Sequence, residues 1–315
     1  METETTVTRL MRQSRTMGSK RLLAWGRRLI RSKTGTVGLI IVLVVLLLAA
    51  FADVLAPHNP HEVNPAMMLK PPAWLDGGSS EHFLGTDHLG RDIWSRMVYG
   101  SRISLLVGVT AVVLAGLIGV TVGMVAGFYG GWLDTAFMRL VDSFLSIPNI
   151  LLALVILSVF GPGVWTLIFV LGVTNWVNYA RLVRGEVLSI KEREFVKAAR
   201  AIGVKNRMVM VRHLLPNVVS PFIVISTLSV ATTIILEASL SFLGLGIQPP
   251  DISWGGILSD GRDYIATSWW LATFPGLAIT LTVLGIIFLG DWLRDVLDPR
   301  GQSRRGNVKS SMKTH

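Results

Sequence analysis

Residues 191–221 read KEREFVKAARAIGVKNRMVMVRHLLPNVVSP, and this stretch decides the fold because it is polar and basic between two long apolar runs. Four apolar residues in its first half recur at i, i+3, i+4 and i+7, which predicts a helix with one narrow apolar stripe. They are Phe195, Ala198, Ala199 and Ile202. Gly203 is expected to end this helix in a left-handed conformation. A second short helix, capped by Asn206 and closed by Pro216, would complete an elbow at a membrane surface.

The composition is that of an integral membrane protein. The 315 residues are 51% hydrophobic and 16% charged, and the mean hydropathy is +0.54. The chain has no cysteine, which excludes disulfides, thiol chemistry and cysteine-ligated metals. The net charge of +10 comes from Lys and Arg at the ends of apolar segments, so topology explains it better than nucleic-acid binding does.

The apolar segments predict an all-α polytopic protein with about six transmembrane helices and both termini in the cytoplasm. Residues 36–52 are long enough to span a bilayer and no clear cleavage site follows them, so we interpret them as a retained span and not as a secretory signal. The predicted division is a basic cytoplasmic segment (1–35), the first transmembrane helix (36–52), an external loop (53–102), a core of five transmembrane helices (103–292) that contains the elbow (190–216), and a cytoplasmic tail (293–315).

Two spans carry features that predict how helices meet. Gly119, Gly123 and Gly127 recur every fourth residue in the second span, which favours close packing against another helix. Pro148 lies inside the third span, where a proline kinks a helix. Such a kink serves either as a hinge of a transport path or as a packing feature.

Charged residues predict two local ion-pair clusters. Arg139 and Asp142, three residues apart, are expected to pair near the cytoplasmic interface. In the external motif GTDHLGRD, residues 85–92, Arg91 is expected to lie between Asp87 and Asp92 in a rigid loop. A phosphate-binding loop is disfavoured there because the motif lacks the GxxxxGK pattern.

Four polar residues within spans are candidates for the translocation path: Asn149, Asn175, Asn178 and Glu237. An ionisable group in a membrane is costly, so Glu237 predicts a function, either at the external mouth of a path or in a structural hydrogen bond near the interface. The asparagines either face a central cavity or form hydrogen bonds between helices.

The elbow resembles the EAA loop in permeases of ATP-binding-cassette (ABC) importers. The resemblance rests on Ala198-Ala199, then Gly203 after three residues, then Leu215-Pro216. Lys197 stands where that family often has Glu, and His213 where Ile is common, while Glu194 keeps an acidic residue nearby. The motifs PPAW (71–74), GTDHLGRD and ILEASLSFLGLGIQPP (235–250) resemble the dipeptide and oligopeptide branch, and the resemblance covers residues 20–301.

This resemblance implies a type I ABC importer permease fold and the shorter, C-type permease of the peptide/nickel branch. The residues expected to couple the chain to its ATPases are Glu194, Ala198, Ala199, Gly203, Leu215 and Pro216. The implied location is the bacterial inner membrane, with lipid around the spans. The implied partners are a second homologous permease, two ATP-binding-cassette ATPase subunits that bind ATP and Mg, and a periplasmic or lipid-anchored substrate-binding protein. No cofactor and no nucleic acid are expected in this chain.

Other interpretations follow from the same sequence. The same architecture could import nickel, glutathione or another small solute instead of di- or oligopeptides. An ion-gradient-driven secondary transporter would need no elbow, and a membrane enzyme would need polar residues that converge within the membrane. The chain lacks Walker A, HExxH, GxSxG and dinucleotide motifs, so an enzyme is not expected.

Overall fold

The computed structural model describes residue 29 and residues 32–297, and this part of the chain is helical apart from its loops and one isolated bridge between Thr86 and Asp92. The helices are α1 (Lys33–Ala50), α2 (Ala52–Leu55), α3 (Ile93–Tyr129), α4 (Gly131–Leu145), α5 (Asn149–Phe160), α6 (Val164–Lys191), α7 (Glu194–Ala201), α8 (Asn206–Val209), α9 (Leu215–Phe242), α10 (Trp254–Gly261) and α11 (Trp270–Leu297). The predicted tail (293–315) lies outside the described residues beyond residue 297, as does nearly all of the predicted basic segment (1–35).

Five helices are long and apolar enough to cross a membrane, and a bent pair can form a sixth span. The five are α1, α3, α6, α11 and the continuous helix from Asn206 to Phe242 that includes α8 and α9. The bent pair is α4 and α5, which meet at 86°. The predicted all-α polytopic architecture with about six spans is therefore confirmed.

The break between α4 and α5 is sharper than the predicted kink. Pro148 precedes Asn149, the first residue of α5, and α4 has already ended at Leu145. A proline disfavours helical backbone in the residue before it and cannot donate an amide hydrogen bond, so the helix stops instead of bending.

The helix that contains the predicted second span begins before that span, at Ile93. Residues 93–102, which the sequence suggested to be external loop, form the first turns of α3. The Asp92 carboxylate accepts a hydrogen bond from the Ser95 amide at 2.8 Å and so caps the helix. Apolar patterning does not reveal this helix start, because the first turns of α3 contain polar residues and precede the apolar part of the helix.

Helices α3 and α6 pack against each other extensively, and the predicted glycine face lies in this contact. A methyl group added to Gly123 would lie 2.6 Å from the Ala180 carbonyl oxygen and 2.8 Å from Cβ of Val183. Gly127 meets Val187 one turn further along. The prediction of close helix packing at these glycines is confirmed.

Candidate functional site

The elbow is present as two helical arms that meet at Gly203. Gly203 has φ +80°, and its amide donates to the Arg200 carbonyl at 3.0 Å. The Val204 amide donates to the Ala199 carbonyl at 3.1 Å. These two bonds form a Schellman motif, which satisfies the last carbonyls of α7 and requires the left-handed residue at its end. Gly203 therefore has the conformation that the sequence predicted.

The second arm differs from the prediction. Asn206 is the first residue of α8 and its side chain makes no capping bond, and Pro216 is the second residue of α9 instead of a terminator. Residues Met210–Leu214 form a π-helical turn between α8 and α9. A wider turn leaves room for the proline ring, whose missing amide would otherwise break the helix. The arm thus continues directly into a transmembrane span.

The apolar stripe of α7 divides between two surfaces. Ala199 is buried, and the neighbouring Val196 packs in a cluster with Val187 and Ile190 at the end of α6. Ile202 is 80% exposed, and Phe195, whose ring lies 6.3 Å from the His213 ring, is 43% exposed. One face of α7 thus attaches the elbow to the protein and the other leaves apolar groups uncovered.

Most of the remaining predicted coupling residues are exposed or half-buried. Glu194, Ala198 and Pro216 are exposed and Leu215 is half-buried. Glu194 has no ion pair among the described residues, whereas the neighbouring Lys197 binds Glu192 at 3.0 Å.

Two contacts fasten the elbow to the end of α3. The Lys191 ammonium donates to the Gly127 carbonyl at 2.9 Å, and the Arg200 guanidinium lies 4.7 Å from the centre of the Phe128 ring. Many basic side chains lie along the elbow, which places it on the cytoplasmic side under the positive-inside rule. They are Lys191, Arg193, Lys197, Arg200, Lys205, Arg207 and Arg212.

The four candidate path residues occupy different environments. Asn149 donates to the Asn175 side-chain oxygen at 3.0 Å, which joins α5 to α6. Asn178, one turn beyond Asn175, is exposed. Glu237 is fully buried and accepts hydrogen bonds from Ser104 at 3.2 Å and Ser241 at 2.8 Å. The structure therefore brings Asn149 and Asn175 together and keeps Glu237 apart from them.

A polar cleft of about 670 Å³ between α4 and α6 was missed by the sequence analysis. Asp142 binds Arg181 at 2.5 Å instead of the predicted Arg139, and Asp134 binds Arg184 at 2.5 Å. Both partners come from α6, so pairs across helices replace the pair that spacing within one helix suggested. Arg139 lines the cleft and has no ion pair among the described residues.

On the opposite side of the spans, the external motif forms a buried ion-pair network. Asp87 accepts from Arg91 at 2.6 Å and also pairs with Arg96, and both arginines bind Asp260 in the last turn of α10. Asp92 instead caps α3, so the prediction that it holds Arg91 is wrong. Burial favours the neutral acid, but the charges of Arg96 and Arg91 and two backbone N–H groups outweigh it and lower the pKa of Asp87.

Family models match most of the chain. The model described as "Binding-protein-dependent transport system inner membrane component" matches residues 119–302. The model described as the N-terminal TM domain of oligopeptide transport permease C matches residues 23–72.

Several curated relatives are similar over nearly their whole length. A dipeptide transport system permease protein DppC of Alkalihalophilus pseudofirmus is 43% identical over 88% of this chain and 89% of its own length. The protein of the same name from Escherichia coli K12 is 45% identical over 86% and 90%. A di/tripeptide transport system permease protein of Pseudomonas aeruginosa is 41% identical over 84% and 87%.

A solved structure shares the fold. A chain of the inward-facing MetNI methionine ABC transporter superposes with a TM-score of 0.54 at 21% identity, over 64% of this chain and 96% of that one. This likeness concerns the type I ABC importer permease fold alone. The protein is thus a multi-pass protein of the bacterial inner membrane, and it belongs to the family of binding-protein-dependent transport system inner membrane components.

Proposed function

We propose that this chain is the permease subunit of an ATP-driven importer and that, with a second homologous permease, it forms a pathway for di- or oligopeptides. The observation that carries the proposal is the uncovered apolar face of the elbow, where Ile202 is largely exposed and Phe195 partly so. Exposed apolar side chains on a polar, cytoplasmic surface are typical of a docking site for another protein. Two separate ATPase subunits that bind ATP and Mg are the proposed occupants.

The elbow is built to pass movement to the membrane. Its second arm runs without interruption into α9. Arg200 of its first arm and Lys191, just before that arm, both contact the end of α3. Movement of docked ATPases would therefore act on two spans at once. Rigid-body rocking of those spans would alternate access to the pathway. Glu194, Ala198, Ala199, Gly203, Leu215 and Pro216 are the proposed coupling residues.

The peptide substrate is proposed from the names of the relatives, which describe dipeptide and di/tripeptide transport. A periplasmic or lipid-anchored binding protein would deliver the peptide to the external side. Import of nickel, glutathione or another small solute would use the same architecture. The ATP-driven reading is favoured over a secondary transporter because the family is one of binding-protein-dependent systems.

For the pathway itself, Asn178 is the best-placed candidate because its amide is exposed. Asn149 and Asn175 satisfy each other in part, and their pairing supports the join between α5 and α6. The burial of Glu237 favours a structural hydrogen-bonding role, which keeps α3 and α9 in register.

The docking face is tested by Ile202→Asp with Ile265→Asp as its matched control. Both isoleucines are largely exposed, at 80% and 58%, but they lie on opposite sides of the spans. We expect Ile202→Asp to reduce ATPase subunits that co-purify with the chain by at least about tenfold, because a desolvated, unpaired carboxylate opposes docking. Ile265→Asp should retain them. Equal recovery of ATPase with both variants would contradict the docking role.

A further inference from the structure

Two histidines and one aspartate meet on the external side, where α3 begins. His58 follows α2, His82 lies in the external loop, and Asp92 caps α3. Nδ1 of His82 lies 3.0 Å from one carboxylate oxygen of Asp92, and Nδ1 of His58 lies 3.9 Å from the other. The two imidazole rings are 4.6 Å apart. We infer that His58, His82 and Asp92 form a Zn²⁺ site that fastens the external loop to the start of α3.

The ligand set and its spacing suit zinc. Imidazole nitrogen and carboxylate oxygen bind Zn²⁺ at about 2.0–2.2 Å, so neighbouring ligand atoms around a tetrahedral ion lie about 3.3 Å apart. One ligand atom from each of the three residues lies within 4.8 Å of the others. Binding of an ion would have to draw the His58 Nδ1 atom, now 3.9 Å from Asp92, towards that spacing. Three protein ligands leave a fourth position for water.

Asp92 has no permanently charged Lys or Arg partner among the described residues. The side chain of Asp92 is only 1% exposed, yet its ion-pair partners among the described residues are His58 and His82, with no Arg or Lys. Buried carboxylates are usually paired with a cation or bound to a metal. Zn²⁺ would supply the positive charge that Asp92 lacks.

The position of His58 supports the assignment. Its Nδ1 atom is buried and has no hydrogen-bond partner within the described part of the chain, so a ligand atom is free. Its backbone amide donates to the Ser95 hydroxyl at 3.2 Å, which holds the residue against α3. A third of its side chain is exposed, which gives an ion access from solvent.

A second cluster nearby provides the contrast. Asp87, His88 and Asp260 also converge, but Arg91 and Arg96 already bind both carboxylates. A divalent cation there would face two guanidinium groups, so it is not expected to bind. His88 stacks on Tyr264, which gives its ring a structural role. His88→Ala is therefore the matched control.

The test uses the full-length chain in lipid nanodiscs, purified without a histidine tag and stripped of metal with a chelator. Zn²⁺ affinity is measured by competition with a chromophoric chelator, and Co²⁺ is added to record d–d absorption from a site with imidazole ligands. We expect one equivalent of Zn²⁺ in the wild type and in His88→Ala. His58→Ala and His82→Ala should bind at least about tenfold more weakly and lose the Co²⁺ spectrum.

Loss of Zn²⁺ binding in His58→Ala would not reflect misfolding, because His58 is partly exposed and its Nδ1 atom has no hydrogen-bond partner among the described residues. His58→Ala should therefore keep the wild-type helical circular dichroism. Asp92→Asn keeps a capping side chain while it removes the charge, and it should also bind Zn²⁺ more weakly. Zn²⁺ should raise the thermal midpoint of the wild type and His88→Ala only. Equal affinity in the wild type and His58→Ala, or a loss of binding confined to His88→Ala, would overturn the assignment.

Discussion

Asp87 links the external loop to a helix that is distant in sequence. Its carboxylate is buried against Arg91 and Arg96, and those arginines reach Asp260 in the last turn of α10. The sequence predicted the local pair with Arg91 from the GTDHLGRD motif. It could not predict Asp260, because that contact depends on how α10 folds back against the start of α3.

The charge on Asp87 should make the stability of this network depend on pH. The pKa of Asp87 is lowered in the folded chain, so its contribution is present above the unfolded value of about 3.9 and is lost as pH falls through the lower folded value. Asp87→Asn should reduce the free energy of unfolding at pH 7 by about 3–5 kcal/mol, because it leaves buried Arg96 without its partner.

Thermal midpoints at pH 7 and at pH 3 measure this effect. Asp76→Asn is the control, since Asp76 is exposed in the same loop and should behave like the wild type. The midpoint of the wild type should fall more on acidification than that of Asp87→Asn. Identical pH dependence in those two proteins would argue against an ionised Asp87.

At the scale of helices, the join between α3 and α6 depends on glycines. Gly123→Ala should destabilise the chain by about 1–3 kcal/mol, because the new methyl group would press on the Ala180 carbonyl and on Val183. Gly185→Ala is the matched control: a methyl group there meets nothing within 4 Å, and alanine favours the helix by about 0.5–1 kcal/mol. Thermal unfolding in detergent compares them, and equal midpoints would mean that the glycine face is not tightly packed.

The elements also show how far sequence reasoning extends. Period-four glycines and long apolar runs predicted the spans and one of their contacts, because both follow from local pattern. The complete break of the helix at Pro148 and the π-helical turn before Pro216 were not predicted. A proline in the sequence does not show whether it ends a helix, bends it or is accommodated by a wider turn. Tertiary packing decides among these outcomes.

For the whole molecule, the candidate site was partly predictable. The sequence predicted the position of the elbow and the turn at Gly203. It did not predict the ion pairs of Asp134 and Asp142 with α6, which depend on how the helices pack. Large apolar side chains on α5 and α6 stay uncovered in the single chain, including Val159 and Trp165. Lipid tails are as apolar as these side chains, so the exposed faces suit contact with lipid or with another membrane helix.

The measurement that tests the central claim most directly is uptake of a radiolabelled dipeptide by cells that express this chain with its proposed partner subunits. Gly203→Leu is compared with Gly185→Leu, because an added Cβ atom meets no described residue within 4 Å at either position and only Gly203 needs a positive φ. We predict that ATP depletion stops uptake, that an ionophore leaves it intact, and that Gly203→Leu abolishes it while Gly185→Leu does not, with all chains inserted in the membrane. Uptake that survives ATP depletion but fails with the ionophore, or normal uptake with Gly203→Leu, would contradict the account.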